Sequence, residues 1–192
     1  MNVFCIGAHK TGTHSVRTAM EYLGYDIYPI DDGYKYYLHG PGNNVTKLIK
    51  DIKNNKNTFY KDTPFNHFDN YKVINQEIPD SLFILTVRNK HDWLKSVNNW
   101  LLTRGTLVYD DLYNLSVNRK NNRIDNVLDI YERRNLEIIE YFKKTNKLLV
   151  LDMNDLKWEK LCTFLKKEIP STPFPHCNKQ VYNTSNEAID LK

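Results

Sequence analysis

Residues 3–15 read VFCIGAHKTGTHS, and this stretch predicts the layout of the whole chain. Four apolar residues at its start are typical of a buried strand, and Val16 and Met20 then recur at the spacing of a helix. Gly7 and Gly12 bracket the turn between them. In such a turn the backbone N–H groups and the positive end of the helix dipole point at one spot, which predicts an anion site.

The position of the lysine separates this turn from an ordinary ATP or GTP loop. Gly7 and Gly12 have four residues between them, as in the pattern G-x-x-x-x-G-K-[ST]. Thr13 follows Gly12, however, and the lysine lies earlier, at Lys10. The spacing favours a phosphate-binding loop of another kind. A plain strand-to-helix turn with a surface lysine is the alternative.

Strands and helices alternate along the rest of the chain. Apolar runs predict further strands over residues 25–28, 57–62, 82–87 and 148–151, the last of them as a central strand. Helical spacing of apolar residues predicts helices between them, including one over 65–77. This alternation indicates an α/β fold with three layers, in which helices flank a central parallel sheet, as in P-loop nucleoside triphosphatases. Residues 1–192 are expected to form a single domain.

Two polar residues stand where predicted strands end. Asp62 closes the strand over 57–62, and Arg88 follows the strand over 82–87. Ligands of open α/β sheets bind across the carboxyl ends of the strands, so these side chains and the loop at Gly7 are expected to share one edge. Asn89 is predicted to cap the helix after Arg88. The tryptophans of that helix, at 93 and 100, are interpreted as core rather than as cofactor contacts.

Composition narrows the function classes. The 192 residues are 41% hydrophobic, with a net charge of +4 and a pI near 8.8, which is too mild a bias to indicate a nucleic-acid partner. Three cysteines without metal-type spacing suggest reduced thiols and no metal site. No secretory signal and no membrane span is apparent in the sequence, so a cytoplasmic location is expected.

Three separated segments resemble the sulfotransferases that use 3′-phosphoadenosine 5′-phosphosulfate (PAPS). Lys10-Thr11-Gly12-Thr13 is similar to the 5′-phosphosulfate loop of that family, whose lysine precedes the Gly-Thr pair. Arg88, with Ser96 eight residues later, is similar to its 3′-phosphate element. Asp62-Thr63-Pro64 and the segment from Trp158 to His176 resemble one compact branch of the family.

The resemblance implies a set of roles. Lys10 would be catalytic, stabilising the charge that develops on the leaving phosphate. The resemblance does not decide whether an acidic residue or a histidine is the general base; Asp62 is the candidate because its strand end is expected to face the donor, with capping of the helix after Pro64 as the alternative. PAPS would be the donor and 3′-phosphoadenosine 5′-phosphate (PAP) the product, with no metal. The residues implied in donor binding are His9, Lys10, Thr11, Gly12, Thr13, His14, Ser15, Arg88 and Ser96. In the branch that acts on phenols and steroids an aromatic residue stacks on adenine where this chain has His14-Ser15.

The acceptor is expected to be a small molecule, a glycan or a peptide that presents a hydroxyl or amine. Loops at 31–43 and 105–122 are expected to contact it, and their tyrosines, at 34, 36, 37 and 109, could line a pocket. His14, His39 and His67 are reserve candidates for the base. Two other functions compete: a nucleotide or small-molecule kinase of P-loop type, and a non-catalytic nucleotide-binding protein of the same fold.

Overall fold

A five-stranded parallel sheet forms the centre of the protein. The computed structural model describes residues 1–29, 45–67, 69–104 and 125–177. The strands in this part of the chain are β1 (Val3–Cys5), β2 (Asp26–Ile27), β3 (Thr58–Lys61), β4 (Leu82–Val87) and β5 (Leu148–Asp152). Their order across the sheet is β2-β3-β1-β4-β5, and every pair is parallel. The prediction of a central position for β5 was wrong, because this strand pairs with β4 at one edge of the sheet.

Helices cover both faces of the sheet. They are α1 (Thr13–Tyr22), α2 (Val45–Ile52), α3 (Asn70–Glu77), α4 (Lys90–Arg104), α5 (Asp125–Phe142) and α6 (Trp158–Leu165). One core cluster joins α1 and α6 to the sheet, and a second joins α2, α3 and α5 to it. The alternation of side chains along β1 separates the two, since Cys5 belongs to the first cluster and Phe4 to the second. The predicted three-layer α/β fold is confirmed.

Local sequence signals account for several element boundaries. Gly24, just after α1, has φ +79°, a conformation that glycine adopts without strain. The Asn89 side chain accepts hydrogen bonds from the backbone N–H groups of His91 (3.0 Å) and Asp92 (3.3 Å), so the predicted cap of α4 is confirmed.

The helix predicted over residues 65–77 is wrong in its first part. Helix α3 begins only at Asn70, and a series of turns precedes it. The backbone N–H groups of Phe65 and Asn66 both donate to the Asp62 carbonyl, and the Asn70 side chain donates to the Pro64 carbonyl at 2.6 Å. Polar side chains that bond to nearby backbone compete with a helix, and here they produce a turn. This turn, residues 62–67, lies at the carboxyl edge of the sheet.

Some expectations fall outside the described residues. They concern the loops at 31–43 and 105–122, the four tyrosines in them, and His39. None of the helices in the described ranges is long and apolar enough to cross a membrane.

Candidate active site

The loop between β1 and α1 is held against β4 by a very close backbone approach. A Cβ on Gly7 would lie 2.0 Å from Thr86 Oγ1 and 2.6 Å from the Thr86 carbonyl oxygen, so no side chain fits there. Gly12 has a different role, because its φ of +94° places it in the left-handed region just before α1. Gly7 therefore allows the close packing against β4, and Gly12 allows the left-handed backbone conformation before α1.

A buried pair of threonines fastens the loop from inside. The Thr11 hydroxyl contacts Thr86 Oγ1 at 2.6 Å and donates to the Ala8 carbonyl at 2.6 Å. Both threonines are fully buried. Thr11 was predicted to bind the donor, and its hydroxyl points into the protein, so its backbone N–H is the group that it could offer an anion.

Lys10 occupies the middle of the loop and is partly exposed. Its φ of +67° is left-handed, so Lys10 and Gly12 together give the tight curvature of the loop. The Lys10 ammonium lies 5.5 Å from the centroid of the Trp100 ring on α4. Trp93 is fully buried, as predicted, and the half-buried Trp100 packs both against the core around Trp93 and against this loop.

Arg88 brings a second cation to the same loop from the end of the neighbouring strand. Its Nη1 donates to the Lys10 carbonyl oxygen at 3.4 Å. The Tyr131 hydroxyl on α5 fixes the Arg88 backbone, since it accepts from the N–H at 2.9 Å and donates to the carbonyl at 3.0 Å. The Tyr131 ring in turn stacks on Trp93, with 4.2 Å between centroids. Strand β4 and helix α5 thus place Arg88 beside Lys10.

His9 is buried between the loop and the turn at residues 62–67. Its carbonyl accepts from Trp93 Nε1 at 2.9 Å, and its Nδ1 lies 3.3 Å from Asn66 Nδ2. Burial lowers the pKa of the His9 ring below its ordinary value, with Asp62 acting in the opposite direction. The ring is therefore neutral near pH 7.

Asp62 lies at the carboxyl end of β3, as predicted, and adjoins the first turn of α1. Its Oδ1 accepts a hydrogen bond from the Thr13 hydroxyl at 3.4 Å, and its Oδ2 pairs with the ammonium of Lys61. Burial alone would raise the pKa of the Asp62 carboxyl, but His9 and Lys61 outweigh it and the pKa falls below its ordinary value. The carboxyl is ionised at neutral pH and able to accept a proton.

The remaining predicted donor contacts differ in their surroundings. His14 is exposed on the first turn of α1, next to the loop. Ser15 is buried, and its hydroxyl accepts a hydrogen bond from the backbone N–H of Cys177 at 3.0 Å. Ser96 is buried on α4, four residues before Trp100, so the two side chains share one face of that helix. The reserve base His67 is buried in the turn at residues 62–67.

Three residues near this site were missed in the sequence. Lys61 was interpreted as an ordinary strand residue, although a charged residue at the end of an apolar strand can indicate a functional site. Arg134 follows two exposed residues on α5, and its Nη2 donates to the Ile6 carbonyl at 2.8 Å and to the Asn66 carbonyl at 2.7 Å. Trp100 was assigned to the core, and its half-buried ring packs against the core cluster around Trp93 but also adjoins Lys10.

The arrangement suits a ligand with more than one anionic group. The first backbone N–H groups of a helix have no partner within it, and those of α1 follow directly after the curved loop. Lys10 in the loop after β1 and Arg88 at the end of the adjacent strand β4 add two positive charges. In the described ranges, no group of three or more His, Cys, Asp or Glu side chains is placed to hold a metal ion. A metal-free mechanism stays a prediction.

The fold and this loop define an α/β protein with a phosphate-loop geometry at the carboxyl edge of its sheet. A family model described as the sulfotransferase domain matches residues 2–120 and 106–182. The chain therefore belongs to the sulfotransferase family, and the resemblance in its sequence is confirmed.

Solved structures agree on the fold. The crystal structure of a sulfotransferase from Alicyclobacillus acidocaldarius is similar, with a TM-score of 0.57 and 16% sequence identity. The match covers 99% of this chain and 87% of that one. At this identity the likeness shows the fold alone. Comparison of the sequence with curated proteins gave no significant match.

Proposed function

We propose that this protein transfers a sulfuryl group from PAPS to a hydroxyl or amine of an acceptor. The observation that carries the proposal is the pairing of Lys10 with Arg88 at one loop, where the Arg88 guanidinium contacts the Lys10 carbonyl. Two cations from neighbouring strand ends suit a nucleotide that carries phosphate at both its 5′ and 3′ positions. Family membership and the free thiols of all three cysteines are consistent with a cytoplasmic enzyme of this kind.

The residues of the site divide the chemistry between them. Lys10 and the N–H groups of residues 11–14 would stabilise the negative charge that grows on the leaving phosphate as the S–O bond breaks. Asp62 would take the proton of the acceptor, because it is ionised and lies beside the first turn of α1. Positioning and charge stabilisation, rather than a covalent intermediate, would supply the rate enhancement.

Calorimetry with PAP tests the donor assignment. PAP is expected to bind more tightly than ADP, because only PAP offers a 3′-phosphate to Arg88. Binding of PAP no tighter than that of ADP would contradict the proposal. Binding of ATP that requires magnesium would favour a kinase. Tight PAP binding without sulfate transfer across a broad acceptor panel would favour a non-catalytic role.

Arg88→Lys is expected to weaken PAP binding about 10- to 100-fold, since a charged hydrogen bond contributes about 1.5–3 kcal/mol. The lysine keeps the charge and loses the planar fork of donors. The affinity for ADP should change little, and titration of both ligands measures the difference. Arg133→Lys is the matched control, because Arg133 is exposed and its contact is with Glu137 on the surface. Equal losses of affinity for PAP and ADP would show that Arg88 does not bind the 3′-phosphate.

Asp62→Asn is expected to lower kcat about 100-fold or more, because general-base catalysis typically contributes about 10²- to 10⁴-fold. PAP affinity should be nearly unchanged, and a urea unfolding curve checks that the variant is folded. Asp26→Asn on the exposed part of β2 is the control. An Asp62→Asn enzyme with wild-type kcat and an unchanged pH–rate profile would shift attention to His14 and His67.

The acceptor is proposed to be a small molecule, a glycan or a peptide. A panel of sulfated products, detected by mass spectrometry, would identify its class. Transfer to hydroxyls but not to amines would narrow it further.

A further inference from the structure

A buried ion pair lies next to the phosphate loop, and the reaction proposed above leaves its cation without a role. Lys61 is the last residue of β3 and pairs in register with Cys5 of β1. Its side chain is only 1% exposed, and its ammonium contacts Asp62 Oδ2. Burial of an ammonium is costly unless a partner compensates its charge, so this lysine needs the carboxylate beside it.

The backbone at Asp62 makes this pairing of neighbours geometrically possible. Successive side chains of a regular strand point to opposite faces of the sheet and do not meet. Asp62 has φ +61°, a left-handed conformation that ends the strand alternation directly after Lys61. The carboxylate is thereby held from two sides, by Lys61 at Oδ2 and by the Thr13 hydroxyl at Oδ1.

Several titratable groups surround the Asp62 carboxylate, and Lys61 is one of them. The titratable groups that act on Asp62 are His9 in the loop, His14 on α1 and Lys61, and the thiol of Cys5 on β1 also lies within its influence. Burial and the nearby Asp62 charge raise the pKa of Cys5 to about 12, so this thiol is neutral. Burial lowers the pKa of His9, and burial likewise lowers that of His14. Both histidines are therefore mainly neutral near pH 7, and the ammonium of Lys61 contacts the carboxylate.

We propose that Lys61 is a positioning residue for sulfuryl transfer: its buried ammonium keeps Asp62 ionised and fixed against Thr13, ready to take the proton of the acceptor. The inference rests on the proposed function. In the step, the acceptor O–H or N–H bond breaks and its proton passes to the Asp62 carboxylate. The acceptor atom forms a bond to sulfur, and the electron pair of the broken S–O bond stays on the leaving 5′-phosphate.

Proton transfer changes the charge balance of the pair. Before the step the charges of Lys61 and Asp62 cancel. After the step Asp62 is neutral and the Lys61 charge is uncompensated, beside a hydrogen bond that reaches the first residue of α1. The net charge of the pair next to the loop thus becomes positive while negative charge grows on the phosphate that the loop would hold. Electrostatic stabilisation of this kind acts strongly where water is excluded.

The pH dependence of kcat/KM tests this role with Lys61→Met and Lys61→Arg. An opposite charge nearby lowers a carboxyl pKa by about 1 to 3 units, so in Lys61→Met the acidic limb should move to higher pH by about that amount. Lys61→Arg keeps a cation and should return the limb towards that of the wild type. PAP affinity, measured in all three proteins, separates an effect on donor binding from the shift of the acidic limb. An acidic limb that stays in place in a folded Lys61→Met enzyme would overturn the proposal.

Stability as a function of pH gives a second readout that needs no turnover. In the wild type the lowered pKa of Asp62 contributes stability above the pKa of an unfolded carboxyl and loses it only on acidification through the folded value. Without Lys61 the folded pKa of Asp62 should be higher than in the wild type, so the loss of urea resistance of Lys61→Met relative to the wild type should grow as the pH rises through the interval between the two folded pKa values. Lys61→Met combined with Asp62→Asn should remove that loss. Parallel pH profiles for Lys61→Met and the wild type would contradict the proposal.

The two readouts separate the possible failures. A wild-type protein that binds PAP but transfers no sulfate to any acceptor would count against the proposed function, and with it against a catalytic use of the pair. If the wild type transfers sulfate and Lys61→Met keeps the wild-type pH profiles of kcat/KM and of stability, only the role of Lys61 would be contradicted.

Discussion

Lys10→Ala is expected to lower kcat about 100- to 1000-fold, the usual loss when one preorganised donor to a developing oxyanion is removed. Lys10 stands at the centre of the curved loop, in front of the N-terminus of α1, where the leaving phosphate would lie. Alanine has the same backbone preference at φ +67° as lysine, so the loop conformation should persist. Single-turnover kinetics with saturating PAPS would measure the chemical step directly.

Two comparisons make this result specific. Lys53→Ala removes an exposed lysine that precedes β3, at the opposite edge of the sheet from the loop, and should leave kcat unchanged. Lys10→Arg keeps the charge and should retain more activity than Lys10→Ala. Near wild-type kcat in Lys10→Ala would exclude Lys10 from catalysis.

Gly7→Ala is expected to destabilise the protein by about 1–3 kcal/mol, the usual cost of forcing an extra group into a packed core. The new Cβ would meet the backbone oxygen and nitrogen of Thr86 at 2.6 and 2.7 Å, and these atoms are fixed in β4. The loop must therefore move away from the sheet and break the contact between Thr11 and Thr86. Thermal unfolding and PAP titration should both register the change.

Gly24→Ala provides the matched control for this substitution. Gly24 has φ +79°, so alanine is strained there, but a Cβ would meet nothing within 4 Å. We expect a cost of about 1–2 kcal/mol from the left-handed backbone alone, with PAP affinity unchanged. If Gly7→Ala bound PAP as well as Gly24→Ala does, the close approach at Thr86 would not matter for the loop.

The sequence was sufficient to predict the alternation of strands and helices. The run LFILTV over Leu82–Val87 forms β4 with the predicted bounds, because a strand that is covered on both faces needs a continuous apolar run. The strand, the glycines and the helix start predict an anion site at the loop, and this stays a prediction. The edge position of β5 did not follow, because strand order depends on contacts between segments distant in sequence.

The details of the site depend on backbone conformations that the residue types do not specify. Asp62 is not a residue type that demands φ +61°, so its pairing with the adjacent Lys61 could not be foreseen from strand alternation. The inward orientation of Thr11 likewise depends on a partner, Thr86, that is 75 residues away. Arg134 reads as one charge in a polar helix, and only its contacts with the Ile6 and Asn66 carbonyls relate it to the site.

The hydrogen bond between Ser15 and Cys177 has a consequence for biosynthesis. The two residues are separated by 162 positions, so Cys177, the partner of Ser15 on the first turn of α1, is among the last described residues to leave the ribosome. Helix α1 can form early, because its own bonds are local. Its contact with residue 177 must wait until that residue has been synthesised. Nascent chains arrested before that point are expected to carry β1 and α1 without this hydrogen bond.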